Sequence, residues 1–525
     1  MWTWLACTAD PPSPVDPPPI DSASSAPLAL VGPSFTAAPS PYVRQVHHLR
    51  ATTSVPTRLS VTLDGARRIT FDALDTDHDV PLYGLRANTV ATGVATFTAA
   101  DGAAVEAPFS LPIGPSFELL PTVELVSSDP ARSEGGYTLF PLTTADEERV
   151  YAVDAAGELV WAWDAEGDVK ALQWVDGELA ALFEGSALRF SPDGPMTRLW
   201  TENVDGASSF FPDATPIPVE LHHEVAAAAD GTFWALAKTQ RAVDAYPTSE
   251  LDPTVTAPTT IDDDHVVHFA ADGSVLSDWS MADRLDPTRI GFGSLDWNTA
   301  DGAYDWAHAN AITPRPDGGV WVSLRHQDAV VALSAAGEPE WILGNPDGWR
   351  EPWASLLLTP VGTPFEWQYH QHAPALRADG AMVLFDNGND WRTTPYSQAP
   401  DPRPLHSRLV AYEVDPVART VRQLWESPGD PLTLYAQALG NADPLPRTGN
   451  VLGTFPYLHD EGGVDNIELG RGDRTVRLIE VAPDGAVVWD LRLSVPVSLD
   501  DKGVLVDRAI RIPSLYGPGV TEEAL

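Results

Sequence analysis

A short hairpin that ends on tryptophan recurs along the chain and constrains the fold more than any other feature. A turn such as Asp-Gly or Ala-Gly is followed by a few strand residues and then the tryptophan, as in residues 271–279 and 483–489. Such hairpins, or weaker copies, end at Trp161, Trp200, Trp279, Trp341, Trp425 and Trp489. Self-similar short strands of this kind indicate a propeller or a solenoid. Six closing tryptophans predict six blades, with the indoles as packing residues.

The composition also favours strands over helices. The 525 residues include 49 Pro and 39 Gly, which interrupt the chain too often for long helices. Residues 58–63 alternate apolar and polar side chains with period two, which is typical of a half-buried strand. We therefore predict an all-β protein, a six-bladed β-propeller preceded by a small N-terminal β-sandwich. The predicted parts are a lipoprotein-like signal and Pro-rich linker over 1–27, the sandwich over 28–115 and a catalytic propeller over 116–525.

The charge balance excludes some partners. The 32 basic and 74 acidic residues give a net charge of −42, which argues against a nucleic-acid backbone or an anionic membrane surface as a partner. An anionic substrate would need a local cationic pocket within this acidic field. Arginine and histidine side chains are the natural source of that pocket.

The single cysteine, Cys7, has an informative position. A lone cysteine rules out an intramolecular disulfide and a cysteine metal cluster. Residues 2–7 resemble the end of a bacterial lipoprotein signal, and a Pro/Ser/Asp-rich tether follows them. Only six residues precede Cys7, so either the true start lies upstream or the resemblance is accidental. The first alternative predicts a periplasmic or cell-surface protein, with a lipid anchor at Cys7 as its one membrane contact.

Four segments that border strand-like runs carry histidine or arginine, and we expect these side chains to meet at one site. The candidates in chain order are His222, His223, His308, Asn310, Arg325, His372 and Asn387. His326 and His370 are interpreted as structural, because neighbours on a strand point to opposite faces. The acidic run 262–264 lacks EF-hand spacing and is interpreted as a solvated turn.

The motifs around these residues, in this order, resemble those of the bacterial arylsulfate sulfotransferase family. They are Asp-Trp-Ala-His-Ala-Asn over 305–310, Ser-Leu-Arg-His-Gln over 323–327, Gln-His-Ala-Pro over 371–374 and Phe-Asp-Asn-Gly over 385–388. The resemblance implies a propeller enzyme that moves a sulfuryl group from a small-molecule aryl sulfate to a phenolic acceptor. It also implies a sulfohistidine intermediate, with no nucleotide donor, metal or other cofactor.

The resemblance also assigns roles to individual residues. It places the nucleophile at His372, a supporting histidine at His308 and the sulfate-binding arginine at Arg325. A further histidine of the family falls on the His222–His223 pair, where His223 is favoured as catalytic and His222 as substrate-binding. Apart from the resemblance, Asn310 and Asn387 are interpreted as loop-shaping residues and as candidates for substrate contact. These residue types suit the chemistry, since imidazole can attack sulfur, arginine matches a tetrahedral oxyanion and a second histidine can move a proton.

Three alternatives remain open from the sequence. A non-catalytic cell-surface propeller could bind protein or carbohydrate through its loops. A metal-dependent hydrolase could use the same histidines, because three imidazoles can form an open zinc site. Water could also replace the phenol as acceptor. The identity of donor and acceptor and the oligomeric state have no readable signal in the chain.

Overall fold

Strands dominate the computed structural model. The described residues are 27–37, 41–117, 121–144, 148–164, 167–202, 214–228, 230–389, 392–397, 401, 403–428, 434–459, 474–494 and 505–524. They form 36 strands and two short 3-10 turns, Arg325–Gln327 and Trp353–Leu356, and include no α-helix. Accordingly, this part of the chain contains no helix long and apolar enough to cross a membrane. Cys7 and residues 1–26 of the predicted signal and linker lie outside the described residues.

The N-terminal strands form one large sheet with a buried face. The early strands are β1 (Leu30–Ala37), β2 (Val43–Arg44), β3 (His47–Leu63), β4 (Arg67–Leu82), β5 (Val90–Ala99), β6 (Ala104–Pro112) and β7 (Thr122–Ser128). Strands β4, β3, β5 and β6 pair antiparallel in that order, and β1 pairs β3. Along β3 the side chains alternate, so Leu59, Val61 and Leu63 are buried on one face.

Six further sheets follow along the chain, each built around an antiparallel meander. The next strands are β8 (Tyr137–Thr143), β9 (Glu148–Val153), β10 (Leu159–Asp164), β11 (Val169–Val175), β12 (Glu178–Phe183), β13 (Ser186–Phe190), β14 (Met196–Thr201), β15 (Ala214–Pro216), β16 (Leu221–Ala227), β17 (Phe233–Pro247), β18 (Thr256–Phe269), β19 (Val275–Ser280), β20 (Trp297–Asn298) and β21 (Ala303–Tyr304). The remaining strands are β22 (Ala309–Pro314), β23 (Val320–Leu324), β24 (Ala329–Leu333), β25 (Pro339–Gly344), β26 (Thr359–Pro360), β27 (His372–Leu376), β28 (Met382–Asp386), β29 (Arg408–Asp415), β30 (Thr420–Glu426), β31 (Asn441–Pro444), β32 (Val451–His459), β33 (Arg474–Val481), β34 (Val487–Ser494), β35 (Ile510–Ile512) and β36 (Val520–Ala524).

Strands distant in sequence complete several of these sheets. The meanders are β8–β10, β11–β14, β16–β19, β22–β25, β27–β30 and β31–β34. The late strand β35 pairs β8 in the first meander, whereas the early strand β7 pairs β34 in the last. Strand β36 pairs β4 of the N-terminal sheet. The last two strands of the described chain, β35 and β36, are therefore held by pairing with early segments.

Three of the closing tryptophans connect one meander to the next by hydrogen bonds, as their packing role predicts. The indole N–H of Trp161 donates to the Pro192 carbonyl at 2.7 Å, and that of Trp200 donates to the Ala271 carbonyl at 2.9 Å. The indole of Trp489, in the last meander, donates to a carbonyl of the first, that of Ala155, at 3.0 Å. These contacts bring the last meander beside the first. The all-β class is confirmed; the six-bladed closure, the N-terminal sandwich and the domain boundaries stay predictions.

The first strands of successive meanders lie side by side and share an irregularity. Contacts run from β11 to β16, β22, β27 and β31 in turn. A register shift of the β-bulge type lies near the start of β11, β16, β22 and β27. Residues with left-handed backbone lie within or next to these shifts, namely Ala171, His223, His308 and Ala373 with φ of 52°, 54°, 49° and 45°. A bulge redirects a side chain that would otherwise follow the alternation of the strand.

Candidate active site

The four histidine-bearing segments converge, as the sequence predicts. Their imidazole rings form a continuous series in which successive centroids are 5.1 Å apart for His222 and His223, 4.8 Å for His223 and His308, 4.6 Å for His308 and His326, and 6.0 Å for His326 and His370. Strands β16, β22 and β27 and the 3-10 turn supply or flank these residues. The site is therefore assembled from three successive meanders.

His372 is the first residue of β27, and both of its ring nitrogens have defined partners. Its Nδ1 lies 2.7 Å from the Asn387 Oδ1 and 3.1 Å from the His370 carbonyl oxygen, both of which are acceptors. The backbone N–H of Leu439 donates to Nε2 at 3.2 Å. The proton of the neutral imidazole is therefore on Nδ1, and the lone pair is on Nε2.

The environment keeps the His372 ring uncharged. Burial, and after it the nearby charge of Arg325, lower the pKa of His372 to about 3 despite the opposing hydrogen bond to Asn387. Burial penalises the imidazolium because a charged ring loses more hydration than a neutral one. At neutral pH the Nε2 lone pair is not protonated and can act as a nucleophile.

His308 is paired with Asp305, a carboxylate of the same sequence motif to which the sequence analysis gave no role. Its Nδ1 is 2.5 Å from the Asp305 Oδ2. Burial opposes ionisation of Asp305, but the hydrogen bond and charge of His308 outweigh burial and hold the pKa of Asp305 well below its ordinary value. An ionised carboxylate on Nδ1 stabilises the imidazolium and orients the ring, as expected of a proton-transfer histidine. The sequence signal for this pair was that Asp305 lies three residues before His308.

Arg325 is the first residue of the 3-10 turn, and the neighbouring His326 accepts a hydrogen bond from it. The Arg325 Nη1 lies 2.7 Å from the His326 Nε2, and the His326 Nδ1 lies 2.7 Å from the Asp305 carbonyl oxygen. The carbonyl can only accept, so His326 carries its proton on Nδ1 and accepts from the guanidinium at Nε2. Burial lowers the pKa of His326 well below its ordinary value, with the charges of His308 and Arg325 adding to the effect.

The strand argument that turned His326 and His370 away from the site is wrong, whereas their interpretation as structural residues stays a prediction. The strand argument fails for His326 because residues 325–327 form a 3-10 turn rather than a strand. It fails for His370 because this residue precedes β27 and has left-handed backbone with φ of 52°. The His370 Nε2–H donates to the Phe292 carbonyl at 3.2 Å, so its ring is fixed beside His326.

His223 and His222 occupy successive positions in the ring series. His223 faces His308, whereas His222 lies behind His223 with the two Nδ1 atoms 2.8 Å apart. Burial lowers the pKa of His222 to about 4, and burial together with the charge of His308 lowers that of His223 well below its ordinary value. His223 is the member of the pair next to His308, and the preference for it as the functional histidine stays a prediction.

The two asparagines contact the His372 segment differently. Asn387 is fully buried and accepts from the His372 imidazole. Asn310 is also buried, but its amide donates to the carbonyl of Gln371 at 2.9 Å and so joins β22 to the residue before His372. Both asparagines thus touch the backbone or ring of the His372 segment, and their assignment to substrate contact stays a prediction.

The acidic run 262–264 is not a solvated turn, so that interpretation was wrong. The three aspartates lie in strand β18 and are buried, with 3–4% exposure. The Asp264 Oδ2 accepts the backbone N–H of Ala309 at 3.0 Å, and its Oδ1 is 3.5 Å from the His222 Nε2. Burial raises the pKa of Asp264 well above its ordinary value, and the negative charge of Asp305 is the second cause that raises it. Strand pairing of β18 with β17 outweighs the turn preference of aspartate here.

One group of side chains has the spacing of a metal site. Asp305, His308 and His326 each offer one ligand atom, and these atoms lie within 4.8 Å of one another. Imidazole nitrogen and carboxylate oxygen are the donors that zinc prefers. The same groups already form hydrogen bonds here, since the His308 Nδ1 bonds the Asp305 Oδ2 and the His326 Nδ1 bonds the Asp305 carbonyl. A metal would have to displace at least one of these bonds.

The fold and site together define an all-β protein in which the first strands of successive meanders present clustered histidines and an arginine. The family model for arylsulfotransferase (ASST) matches residues 122–493, most of the chain. The chain therefore belongs to the arylsulfotransferase family. The family predicted from the motifs is thus confirmed.

Two similar curated proteins carry the same family name. The arylsulfate sulfotransferase AssT of Escherichia coli is 30% identical over 208 residues, which cover 31% of this chain and 34% of that protein. The arylsulfate sulfotransferase AssT of Lelliottia amnigena is 27% identical over 209 residues, with 31% and 34% covered. The matched segment spans about a third of the length of these relatives.

Solved structures that align with this chain show much lower sequence identity. A streptogramin B lyase aligns with 9% identity and a TM-score of 0.30, covering 73% of this chain and 100% of its own. A virginiamycin B lyase from Staphylococcus aureus aligns with 10% identity and a TM-score of 0.28, covering 74% and 99%.

Proposed function

We propose that this protein transfers a sulfuryl group from an aryl sulfate to a phenolic acceptor through a covalent sulfohistidine at His372, without a nucleotide donor. The observation that carries the proposal is the protonation of His372, whose Nδ1 is hydrogen-bonded while its Nε2 keeps the lone pair. Family membership supplies the reaction class. The names of the two curated relatives point to the same chemistry.

In the first half of the reaction, the His372 Nε2 attacks the sulfur of the donor. The bond between sulfur and the aryl oxygen breaks as the nitrogen–sulfur bond forms, and the protonated His308 gives its proton to the departing phenoxide. Arg325 donates hydrogen bonds to the sulfuryl oxygens, and its charge compensates theirs. Asp305 stabilises the imidazolium of His308 before the proton leaves. Splitting the transfer in two lowers the barrier of each step.

In the second half, the acceptor phenol attacks the sulfur of the sulfohistidine. His308, now neutral, takes the phenol proton as the new sulfur–oxygen bond forms. The nitrogen–sulfur bond breaks, and its electron pair returns to the His372 Nε2. His308 is again protonated, so the cycle balances without a cofactor. Water could take the place of the phenol by the same steps.

The decisive experiment is intact-protein mass spectrometry after brief incubation with 4-nitrophenyl sulfate, with nitrophenol release recorded in parallel. We expect a mass increment of one sulfuryl group that disappears when phenol is added. His372→Asn should lose both the increment and at least a thousandfold in turnover, because the nucleophile is gone. His268→Asn is the matched control, since this histidine stacks on Trp234 outside the ring series.

The outcome separates the proposal from two alternatives. Full activity in His372→Asn would contradict the assignment of the nucleophile. Absence of both increment and nitrophenol in the wild type would favour a binding propeller. Nitrophenol release without an increment and without dependence on phenol would indicate hydrolysis.

A metal-dependent hydrolase is the second candidate, favoured by the spacing of Asp305, His308 and His326. These residues could hold zinc and would then present it next to His223. Dialysis against a chelator followed by addition of zinc distinguishes the two mechanisms. Sulfuryl transfer should be unchanged by the chelator, whereas a metal hydrolase should lose activity and recover it with zinc.

A further inference from the structure

Asn387 makes hydrogen bonds through every polar atom of its side chain, and this fixes its orientation. The residue follows β28 and is fully buried. Its Nδ2 donates to the Ala436 carbonyl at 2.8 Å and to the Leu439 carbonyl at 3.1 Å. Both acceptors are carbonyl oxygens, so the amide nitrogen must face them and the Oδ1 must face His372. The 436–439 loop thereby orients the Asn387 oxygen, the closer of the two acceptors at the His372 Nδ1.

The same loop supplies a donor to the other nitrogen of His372. The Leu439 N–H points at Nε2, the atom that would attack sulfur. Leu439 has left-handed backbone with φ of 60°, and Gly440 after it has φ of 97°. A Cβ at Gly440 would lie 2.8 Å from the Thr454 carbonyl oxygen and 2.9 Å from the Phe385 ring. The loop is therefore closely packed where it approaches His372.

Covalent modification of His372 would change the acceptor of this N–H. Once Nε2 bonds to sulfur, its lone pair is used and can no longer accept a hydrogen bond. A buried N–H that loses its acceptor costs free energy unless another acceptor replaces it. The sulfuryl oxygens are attached to the neighbouring sulfur atom and are the nearest replacements. A donor placed in advance where negative charge develops stabilises the transition state.

We propose that Asn387 is a positioning residue that fixes the Nδ1–H form of His372 and also holds the Leu439 N–H as a donor to the sulfuryl group. The inference rests on the proposed function and deepens it. A single side chain thus positions both the nucleophile and the backbone N–H that stabilises the developing negative charge. Asn387 itself touches neither the sulfur nor the leaving group in this assignment.

The first measurement reads the tautomer of His372 directly and needs no substrate. In protein labelled with ¹⁵N at histidine, the His372 signals are assigned from their loss in His372→Asn. We expect the wild type to show a protonated Nδ1 and an unprotonated Nε2. Asn387→Leu should increase the share of the Nε2–H form, because the closer of the two acceptors at Nδ1 is removed and only the His370 carbonyl at 3.1 Å remains. Asn387→Asp should keep the wild-type tautomer, since a carboxylate oxygen still accepts from Nδ1.

The second measurement is steady-state transfer from 4-nitrophenyl sulfate to phenol. Asn387→Leu should lower kcat about 100-fold with KM within about threefold, the range seen for loss of one preorganised donor. Asn387→Asp should also lower kcat despite its normal tautomer, because a carboxylate cannot donate to the carbonyls of the 436–439 loop. Asn450→Leu is the matched control, as this buried amide donates to the Arg132 carbonyl and the Glu480 carboxylate away from His372.

The two measurements fail in different ways. An unchanged tautomer in Asn387→Leu would overturn the role of Asn387 in fixing the Nδ1–H form of His372. Wild-type kcat in Asn387→Asp would overturn its role in holding the Leu439 N–H. A loss of kcat in Asn387→Leu no larger than that in Asn450→Leu would show that Asn387 only stabilises the fold. Absence of any sulfuryl transfer in the wild type would contradict the proposed function instead, and the tautomer measurement would still report on the contact between Asn387 and His372.

Discussion

His372 can attack sulfur only while its imidazole stays neutral and its lone pair stays on Nε2. Burial supplies the first condition by lowering the pKa of the ring to about 3, and the hydrogen bond from Nδ1 to Asn387 supplies the second. A weakly basic imidazole attacks less strongly, but it also leaves more easily when the acceptor arrives. A transfer enzyme needs both steps, so a low pKa at this nitrogen favours turnover over a trapped intermediate.

The carboxylate of Asp305 provides a prediction at the level of one residue. Asp305→Asn should lower kcat for transfer about 100-fold, because the neutral amide no longer stabilises the imidazolium of His308. The loss should be smallest with donors whose phenol is acidic, since such leaving groups need little protonation. Rates measured with a series of substituted phenyl sulfates check this trend.

Asp283→Asn is the control for that series. Asp283 is an exposed aspartate that pairs with Arg241 at 2.6 Å, and its loss should leave the rates unchanged. Equal sensitivity of Asp305→Asn to acidic and basic leaving groups would contradict a proton-transfer role for the Asp305–His308 pair.

At the scale of the elements, the bulges on β16, β22 and β27 determine which side chains face the site. The sequence located the four segments because strand-like runs flank them. It could not show that His223 and His308 adopt left-handed backbone, since neither residue type requires it. The bulge is specified by the fit between meanders, which is a tertiary effect. The buried aspartates of β18 were missed for the same reason, because pairing with β17 overrides local preference.

The loop at Gly293 provides a prediction for an element outside the strands. A Cβ at this glycine would lie 2.6 Å from the His326 Cδ2 and Nε2, and its φ is 84°. Gly293→Ala should therefore displace His326 and, with it, the Arg325 guanidinium that His326 holds. We expect KM for the aryl sulfate to rise about tenfold or more, measured with 4-nitrophenyl sulfate.

Gly231→Ala separates the contact from backbone strain. Gly231 has nearly the same φ, 83°, but a Cβ added there would have no atom within 4 Å. Both variants carry the cost of a left-handed alanine, about 1 kcal/mol. A similar rise in KM in Gly231→Ala would show that strain, rather than the position of His326, is responsible.

At the scale of the whole molecule, the sequence predicted what is local and repeated. The Trp-ended hairpins led to the meanders, and the tryptophans pack between them as expected. The sequence did not show that β35 completes the first meander or that β36 joins β4. These short strands have no strong pattern of their own, and their partners lie hundreds of residues away. Long-range pairing of this kind is decided by the edges that the other strands leave open.

Two sets of buried titratable groups act on stability in opposite directions. Burial lowers the pKa of five histidines, His222, His223, His326, His370 and His372. Burial raises the pKa of Asp264 well above its ordinary value and that of Glu224 and Asp443 to about 7. The unfolded chain thus binds more protons at the histidines, whereas the folded chain binds more at the carboxyl groups. The two sets act on stability over different pH ranges.

The sign of each effect predicts a maximum of stability near pH 6.5. Below the unfolded pKa of histidine, about 6.5, the unfolded state gains protons that the folded rings exclude, so the free energy of unfolding falls with falling pH. Above about pH 4.5 the three carboxyl groups oppose this, because their stabilising protons are lost as pH rises through their folded pKa. Between about pH 4.5 and 6.5 five histidines outweigh three carboxyl groups, and stability rises. Above about pH 6.5 only the carboxyl contribution remains, and stability falls until the pH passes the folded pKa of these groups, about 7 for Glu224 and Asp443.

Thermal unfolding followed by circular dichroism from about pH 5 to pH 8, at constant ionic strength, checks this prediction. Glu224→Gln should flatten the fall above about pH 6.5, because each proton lost there costs about 1.4 kcal/mol per pH unit in the wild type. Glu106→Gln is the matched control, since Glu106 is exposed on β6. A melting temperature that keeps rising to about pH 8 in the wild type would show that the buried carboxyl groups are ionised in the folded protein. The same slope in Glu224→Gln and the wild type would exclude Glu224 as one of the groups responsible.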